Sequence, residues 1–422
     1  MSGMIFRFLL IVFLYLFPCT LLAQRVDRLI SNRDYPAAIE LLEKEIMSNP
    51  SADLHHKKGT VYIKLMEHEK AFESFKAAYQ LDSTYIPALE DLAEMSTSMG
   101  NYHGTAFYYR KVVQLAPDEL YWRGKLAVGY INLKDYNKAF ELYNNIWEQD
   151  STSNYYKKNY ALSAYRINER SLAIKLYEEL ADLHYPDINV YLNLTSIYSS
   201  IYLSEKDEEK KEKAINACLS GLVVFPNHPS LILKLADTWF QFREYKNAQL
   251  IYEELISKDK PSLETMRNYG ICLYINEEEE KSLNVLKQCI DDGLTKDPIV
   301  YFYLGMNYRK NRMVKESIYY YNMAIDVATP DYYGDFYHYL GQAYNSDRDY
   351  ENAAKCLIRA IELYPENFDL LFEIAMIYDK HLKKTLALNY YQNYLERSGK
   401  AAMNEEYVKM RINNLKKEIE SK

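Results

Sequence analysis

The chain has 422 residues, 48% of them hydrophobic and 26% charged, with a formal net charge of −8. That length exceeds what one compact core normally serves, so it implies several domains or a solenoid of repeats. The mild acidity deepens by one charge without Arg7; it argues against a general nucleic-acid binder, which needs clustered Lys and Arg, and leaves room for a basic partner.

Tyrosine is over-used, with 43 residues against only 13 Gly and 12 Pro. Many amphipathic rings and few chain breakers suit short packed helices better than a β-rich or disordered chain.

Residues 1–23 open with a single positive charge at Arg7 and an unbroken apolar run from Phe8 to Phe17. A run of that length fits the core of a signal peptide and is short for a membrane span. Leu21-Leu22-Ala23 ahead of Gln24 supplies a cleavage site, and cleavage is expected after Ala23. Lipid attachment at Cys19, behind Leu16-Phe17-Pro18, and an uncleaved anchor are the other two readings. All three place the mature chain outside the cytoplasm, in the periplasm or cell envelope, with membrane contact only if the leader is retained or lipidated.

Beyond the leader one register recurs. A small residue appears at Gly59, Ala93, Ala127, Ala161, Thr195, Ala236, Gly270, Gly305, Gly341 and Ala375, at intervals of 34, 34, 34, 34, 41, 34, 35, 36 and 34 residues. Twelve residues after nine of these comes a second small residue, such as Ala71, Ser282, Ser317 or Ala353. Four further on stands a large one: Phe75, Tyr109, Tyr143, Tyr177, Tyr252, Leu286, Tyr321, Leu357 or Tyr391. In the unit with the longer interval the pair is Ala214 and Cys218, displaced by seven residues. The spacing predicts two amphipathic helices per unit, neither able to bury its apolar stripe alone. Pro50, Pro117, Pro226 and Pro365 close units in register, and Asp82-Ser83 and Asp150-Ser151 mark other turns.

The clearest copy, residues 337–365, pairs Leu340, Gly341 and Tyr344 with Ala353, Leu357 and Ala360. This pattern resembles the tetratricopeptide repeat (TPR), a 34-residue helix–turn–helix unit. The resemblance runs over about residues 24–397. Tyr301, Tyr337 and Tyr191 stand where the family favours a first-helix Trp. The resemblance implies an all-α fold, a right-handed α-solenoid of about eleven TPR repeats. Residues 401–422 read as a C-terminal capping helix, with Tyr407, Val408, Met410, Ile412, Leu415 and Ile419 apolar. The seven-residue insertion near 204–213 is almost wholly charged and predicts two lengthened helices with a solvated end.

Little in the sequence suggests catalysis or a cofactor. There is no phosphate-binding glycine loop, no zinc-spaced Cys or His set and no G-x-S-x-G elbow. His55, His56 and His68 read as surface residues, and Glu90, Asp91 and Glu94 as a solvated acidic face. Cys218, Cys289 and Cys356 fall at or beside second-helix packing positions; Cys272 and Cys289 share one repeat and are the pair open to a disulfide.

In TPR arrays the first helices line a concave groove. Carried over to this chain, the early repeats offer His56, Lys57, Glu90, Asp91, Glu94, Lys125, Lys158 and Asn159. The later ones offer Tyr274, Phe302, Tyr303, Met306, His338, Tyr339, Gln342, Phe372 and Met376. The family's carboxylate clamp places Lys and Asn on three successive first helices; Lys158, Asn193 and Lys234 match three of its five positions, while Leu162 and Ser230 fill the other two.

The expected function is a non-catalytic scaffold or adaptor of a bacterial envelope, holding a protein or peptide in the groove. A glycan- or nutrient-binding accessory protein using the late aromatic groove, and an enzyme with an unrecognised site, are the other classes. The groove aromatics have a second reading as packing between repeats.

Overall fold

A computed structural model describes residues 24–258, 261–328, 332–398 and 404–420. The leader expected over residues 1–23 lies outside the described residues. Those described are helical with no β-strand among them. They fall into two compact units that meet between Ile201 and Tyr202.

The first unit begins with α1 (24–31) and α2 (Tyr35–Ser48). Four hairpins follow: α3 (Ala52–Lys64) with α4 (His68–Leu81), α5 (Ile86–Ser98) with α6 (Tyr102–Leu115), α7 (Leu120–Asn132) with α8 (Tyr136–Gln149), and α9 (Asn154–Arg166) with α10 (Arg170–Asp182). From α2 to α10 each helix packs on the next. The unit ends within α11 (Ile188–Glu205).

The second unit holds α12 (Glu208–Val224) and five hairpins: α13 (Pro229–Gln241) with α14 (Tyr245–Lys258), α15 (Leu263–Ile275) with α16 (Glu279–Asp291), α17 (Pro298–Lys310) with α18 (Val314–Val327), α19 (Tyr333–Ser346) with α20 (Tyr350–Leu363), and α21 (Asp369–His381) with α22 (Lys384–Ser398). α23 (Glu405–Glu420) packs on α22 and buries Val408, Ile412 and Leu415. The inserted residues lengthen α11 and α12 to 18 and 17 residues, where the hairpin helices have 13 to 15.

The packing logic of each hairpin follows from the register. A Cβ at Gly59, Gly270, Gly305 or Gly341 would come within 2.5–2.9 Å of Phe75, Leu286, Tyr321 or Leu357, in each case the residue sixteen positions later. The small residue lets the helices approach, and the large one fills the contact, fully buried in all four hairpins. Burying a Phe or Leu of this kind contributes about 1.5–3 kcal/mol. Ser282 and Ser317 add a tie, their hydroxyls donating to the carbonyls of Gly270 (2.8 Å) and Gly305 (2.9 Å). At those positions the second small residue bonds the first.

Both ends of the units carry local signals. α2, α6, α12 and α20 stop two residues before Pro50, Pro117, Pro226 and Pro365. Asp82 and Asp150 accept from the amides of Thr84 (2.9 Å) and Thr152 (2.8 Å), closing Asx turns. The turn inside the hairpin has its own period. Seven residues after the small position, Met66, Gly100, Lys134, Asn168, Arg243, Glu277, Arg312 and Arg348 adopt positive φ, between 59° and 72°.

The four described cysteines are free, so Cys272 and Cys289 do not pair. Cys272 sits in a cluster with Ala236, Tyr252 and Tyr269, and Cys289 in another with Leu286, Val300 and Leu304. They face different interhelical layers, and burial pushes both thiols up, to about 12 and about 11. No described helix is long and apolar enough to cross a membrane.

Candidate functional site

Successive first helices touch one another through side chains and so form one face within each unit. The chemistry of that face differs between the units.

In the first unit the face is laced by polar and charged pairs. His56 on α3 meets Asp91 on α5 at 2.7 Å, Glu94 on α5 meets Lys125 on α7 at 2.6 Å, and Lys57 pairs with Asp53 in its own helix at 2.9 Å. Burial pushes the Glu94 carboxyl up, but bonds from Lys125 and Tyr109 outweigh it and hold it below the usual range. Glu90, with no such donor, is pushed up by burial and by the charges of Asp91 and Glu94. Asn159 turns inward, buried, and donates to the Tyr155 carbonyl at 3.1 Å, so it is not a groove residue.

Two of the three expected clamp residues are engaged elsewhere. Lys158 pairs with Asp187 at 2.8 Å, and the Asn193 amide donates to the Tyr177 hydroxyl at 2.9 Å, both within the first unit. Lys234 belongs to the second unit, half-buried on α13, where burial lowers its ammonium below the ordinary value.

In the second unit the face is aromatic. Tyr274 on α15 meets Tyr303 on α17 edge-on, with ring centroids 5.5 Å apart. Phe302 meets Tyr339 on α19 at 5.1 Å and stacks on Phe336 at 4.9 Å. Phe372 on α21 packs against Tyr394 at 5.5 Å and Tyr407 of α23 at 6.4 Å. Tyr274, Phe302, Tyr303, Met306, Tyr339, Phe372 and Met376 are all half-buried, each with a side toward the core and a side toward solvent. Both readings of these aromatics thus hold together: they join neighbouring repeats and they surface the face. Burial pushes the Tyr303 hydroxyl up to about 12.

A polar relay crosses the same helices. Arg309 on α17 lies over the Tyr339 ring at 5.2 Å and donates to Gln342 at 2.6 Å. Gln342 meets His338 at 2.9 Å, and His338 meets Glu373 on α21 at 3.1 Å. An open pocket of about 540 Å³ adjoins the relay, lined by Arg309, Gln342, Phe372, Glu373, Met376 and Lys380 among others. Arg309 and Glu373 were not singled out from the sequence. The register places them, at four positions after Gly305 and two before Ala375, but nothing in their identity marks them. Among the described residues no group of His, Cys, Asp or Glu is placed to hold a metal ion.

Stacked hairpins with a side-chain-rich first-helix face define a helical-repeat scaffold, the class of fold that serves protein–protein interaction. The tetratricopeptide repeat profile matches residues 52–85 and 334–367. A TPR repeat-containing protein of Methanocaldococcus jannaschii is 20% identical over 401 residues, covering 86% of this chain and 67% of the relative. A BBSome complex member of Bos taurus, BBS4, is 22% identical over 296 residues, covering 60% of this chain; the match spans 56% of that protein's length. Among solved structures, the Cut9–Hcn1 hetero-tetramer of APC/C aligns over 92% of this chain and 82% of its own, at 16% identity and a TM-score of 0.45. Tetratricopeptide repeats are thus matched at residues 52–85 and 334–367, within a chain built as a multi-repeat array of helical hairpins.

Proposed function

We propose that this protein is an exported, non-catalytic scaffold of a bacterial envelope that holds a polypeptide partner on the first-helix face of its second unit. The observation that carries this reading is the half-buried run Tyr274, Tyr303, Phe302, Tyr339 and Phe372, with Met306 and Met376 beside it. Its rings are fixed from behind by helix packing, so little side-chain freedom is lost when a partner docks. Aromatic and Met side chains are also the types enriched where proteins bind one another.

The ring faces favour a polypeptide over a sugar. Phe336 covers one face of Phe302 and Arg309 covers one face of Tyr339, whereas sugar stacking needs a broad open ring. Export rests on the composition of residues 1–23.

Site-specific photo-cross-linking in intact cells tests the reading. Probes at 303 and 339 are expected to capture the same polypeptide, and probes at the exposed second-helix positions 250 and 319 to miss it. Equal capture from all four positions would contradict it.

A further inference from the structure

The tyrosine sixteen residues after the small position has a repeating task. In three hairpins its hydroxyl reaches through to a first-helix carboxylate: Tyr109 to Glu94, Tyr252 to Asp237 at 2.6 Å, and Tyr391 to Asp379 at 3.4 Å. Glu94 and Asp237 both stand one residue after the small position, at Ala93 and Ala236. Tyr143 and Tyr177 find other partners, the Gly124 carbonyl at 3.5 Å and the Asn193 amide at 2.9 Å, but Tyr321 stands apart. Its ring lies over Gly305 between Phe302 and Tyr339, it is fully buried, and its hydroxyl has no hydrogen-bond acceptor within reach among the described residues. The residue after Gly305 is Met306, which offers no carboxylate.

A second group in the same place also lacks its complement. Arg309, four residues after Gly305, makes no ion pair among the described residues, while other charged side chains of this face do: Arg267 with Asp297 at 2.6 Å, Lys310 with Glu279, and Asp379 with Arg411 at 2.7 Å. Its only bonded acceptor among the described residues is the Gln342 amide oxygen, so the remaining guanidinium N–H groups are available beside the pocket. A buried hydroxyl without an acceptor and a cation without a carboxylate sit on one hairpin, where three sister hairpins hold an acid.

We propose that the partner supplies that acid: the second-unit face takes a segment carrying an Asp or Glu side chain next to a large apolar residue. The proposal rests on the reading that this face binds a polypeptide. Met306, unbranched and half-buried, swings aside. The carboxylate then takes the place that Glu94 and Asp237 occupy in their hairpins, accepting from the Tyr321 hydroxyl and from Arg309. The neighbouring apolar side chain enters the pocket beside Phe372 and Met376.

The test is selection of a random twelve-residue peptide library on the full chain, followed by fluorescence-polarisation titration of the enriched peptides. Enriched sequences are expected to place Asp or Glu beside an aromatic or large aliphatic residue. Changing that acid to its amide in the peptide is expected to weaken binding about ten-fold on the native chain, the scale of one charge-assisted bond, and to change it little on Arg309→Gln. Tyr321→Phe is expected to weaken the acidic peptides without lowering the melting temperature. Met306→Glu gives Tyr321 its acceptor from within, so it is expected to raise the melting temperature and abolish acidic-peptide binding.

Enriched peptides without an acidic bias, still lost on Met376→Lys, would overturn the acid and leave the polypeptide-binding face standing. Undiminished binding to Met306→Glu would overturn it as well. No enrichment of any peptide would overturn both.

Discussion

Gly305 packs against the ring of Tyr321 so closely that a Cβ on residue 305 would lie 2.6 Å from the ring's Cδ1. Since Tyr321 is buried and hemmed in by Phe302 and Tyr339, the helices themselves must part to admit a side chain. Ala holds the equivalent position opposite a Tyr in five other hairpins, as at Ala93 with Tyr109, so a methyl group is tolerable after a small shift. Gly305→Ala is therefore expected to cost about 1 kcal/mol, and Gly341→Leu, driven against Leu357, at least about 3 kcal/mol. Thermal melts of the two variants check this ranking.

Tyr252 and Tyr321 look alike in sequence but differ in what their hydroxyls do. Tyr252→Phe strips Asp237 of one of its two side-chain bonds, leaving Asn268, and burial already pushes that carboxylate up, so a loss of about 1–3 kcal/mol is expected. Tyr321→Phe removes a buried hydroxyl that has no hydrogen-bond partner among the described residues, and stability should hold or rise. Denaturant titration of the two variants side by side tests the contrast.

The hairpin turns hold non-glycine residues in a left-handed conformation, at φ 67° for Glu277 and 61° for Arg312. Left-handed backbone strains an L-residue, whereas glycine adopts it freely at some cost in unfolded-chain entropy. Each of Glu277→Gly and Arg312→Gly is expected to stabilise by about 0.5–1 kcal/mol, the balance of those two effects. Lower melting temperatures in both would contradict the turn assignment.

Glu90 gives a pH signature. Its folded-state carboxyl is raised by burial, then by Asp91 and Glu94, with Lys125 and His56 opposing. A raised carboxyl favours the protonated form in the fold, so its contribution is complete below the unfolded value of about 4.3 and is lost as pH rises through the folded value. Glu90→Gln mimics the protonated form. It should therefore melt higher than the native chain at pH 7 and match it near pH 4. An advantage that persists at the acid end would contradict the burial argument.

Arg411 anchors α23 to the face. It grips both oxygens of Asp379, at 2.7 Å each, and also reaches Glu418 at 2.7 Å. Asp379 is only 6% exposed, so Arg411→Leu leaves a buried carboxylate without its cation and is expected to cost about 2–4 kcal/mol. Loss of protection in α23 by hydrogen exchange would accompany it.

Much of the fold was legible because the register fixes sterics. Only a small residue fits at Gly59, Gly270, Gly305 or Gly341 when Phe75, Leu286, Tyr321 or Leu357 fills the contact sixteen residues on, and that spacing shows in the sequence alone. The turns were harder to read, since Met66, Lys134, Arg243 and Arg348 carry positive φ without the glycine that usually advertises it. The face was read only in part. The aromatic positions of the second unit follow from the register, but the partners of charged residues do not. Lys158 and Asn193 looked available until Asp187 and Tyr177 were seen to hold them, and Arg309 gained interest only because Met306 stands where Glu94 and Asp237 stand in sister hairpins. Cys272 and Cys289 are close in sequence yet lie in separate packing layers, which spacing does not reveal.

The central claim is that the second unit's first-helix face binds a polypeptide. It is tested most directly by calorimetric titration of the partner captured at positions 303 and 339 against the native chain and the Met306→Lys/Met376→Lys variant. Both methionines are half-buried on the face, so the variant should keep its circular dichroism and melting profile. The account predicts affinity weakened at least about ten-fold, the scale of losing one good interface contact. Unchanged affinity in a folded variant would contradict it.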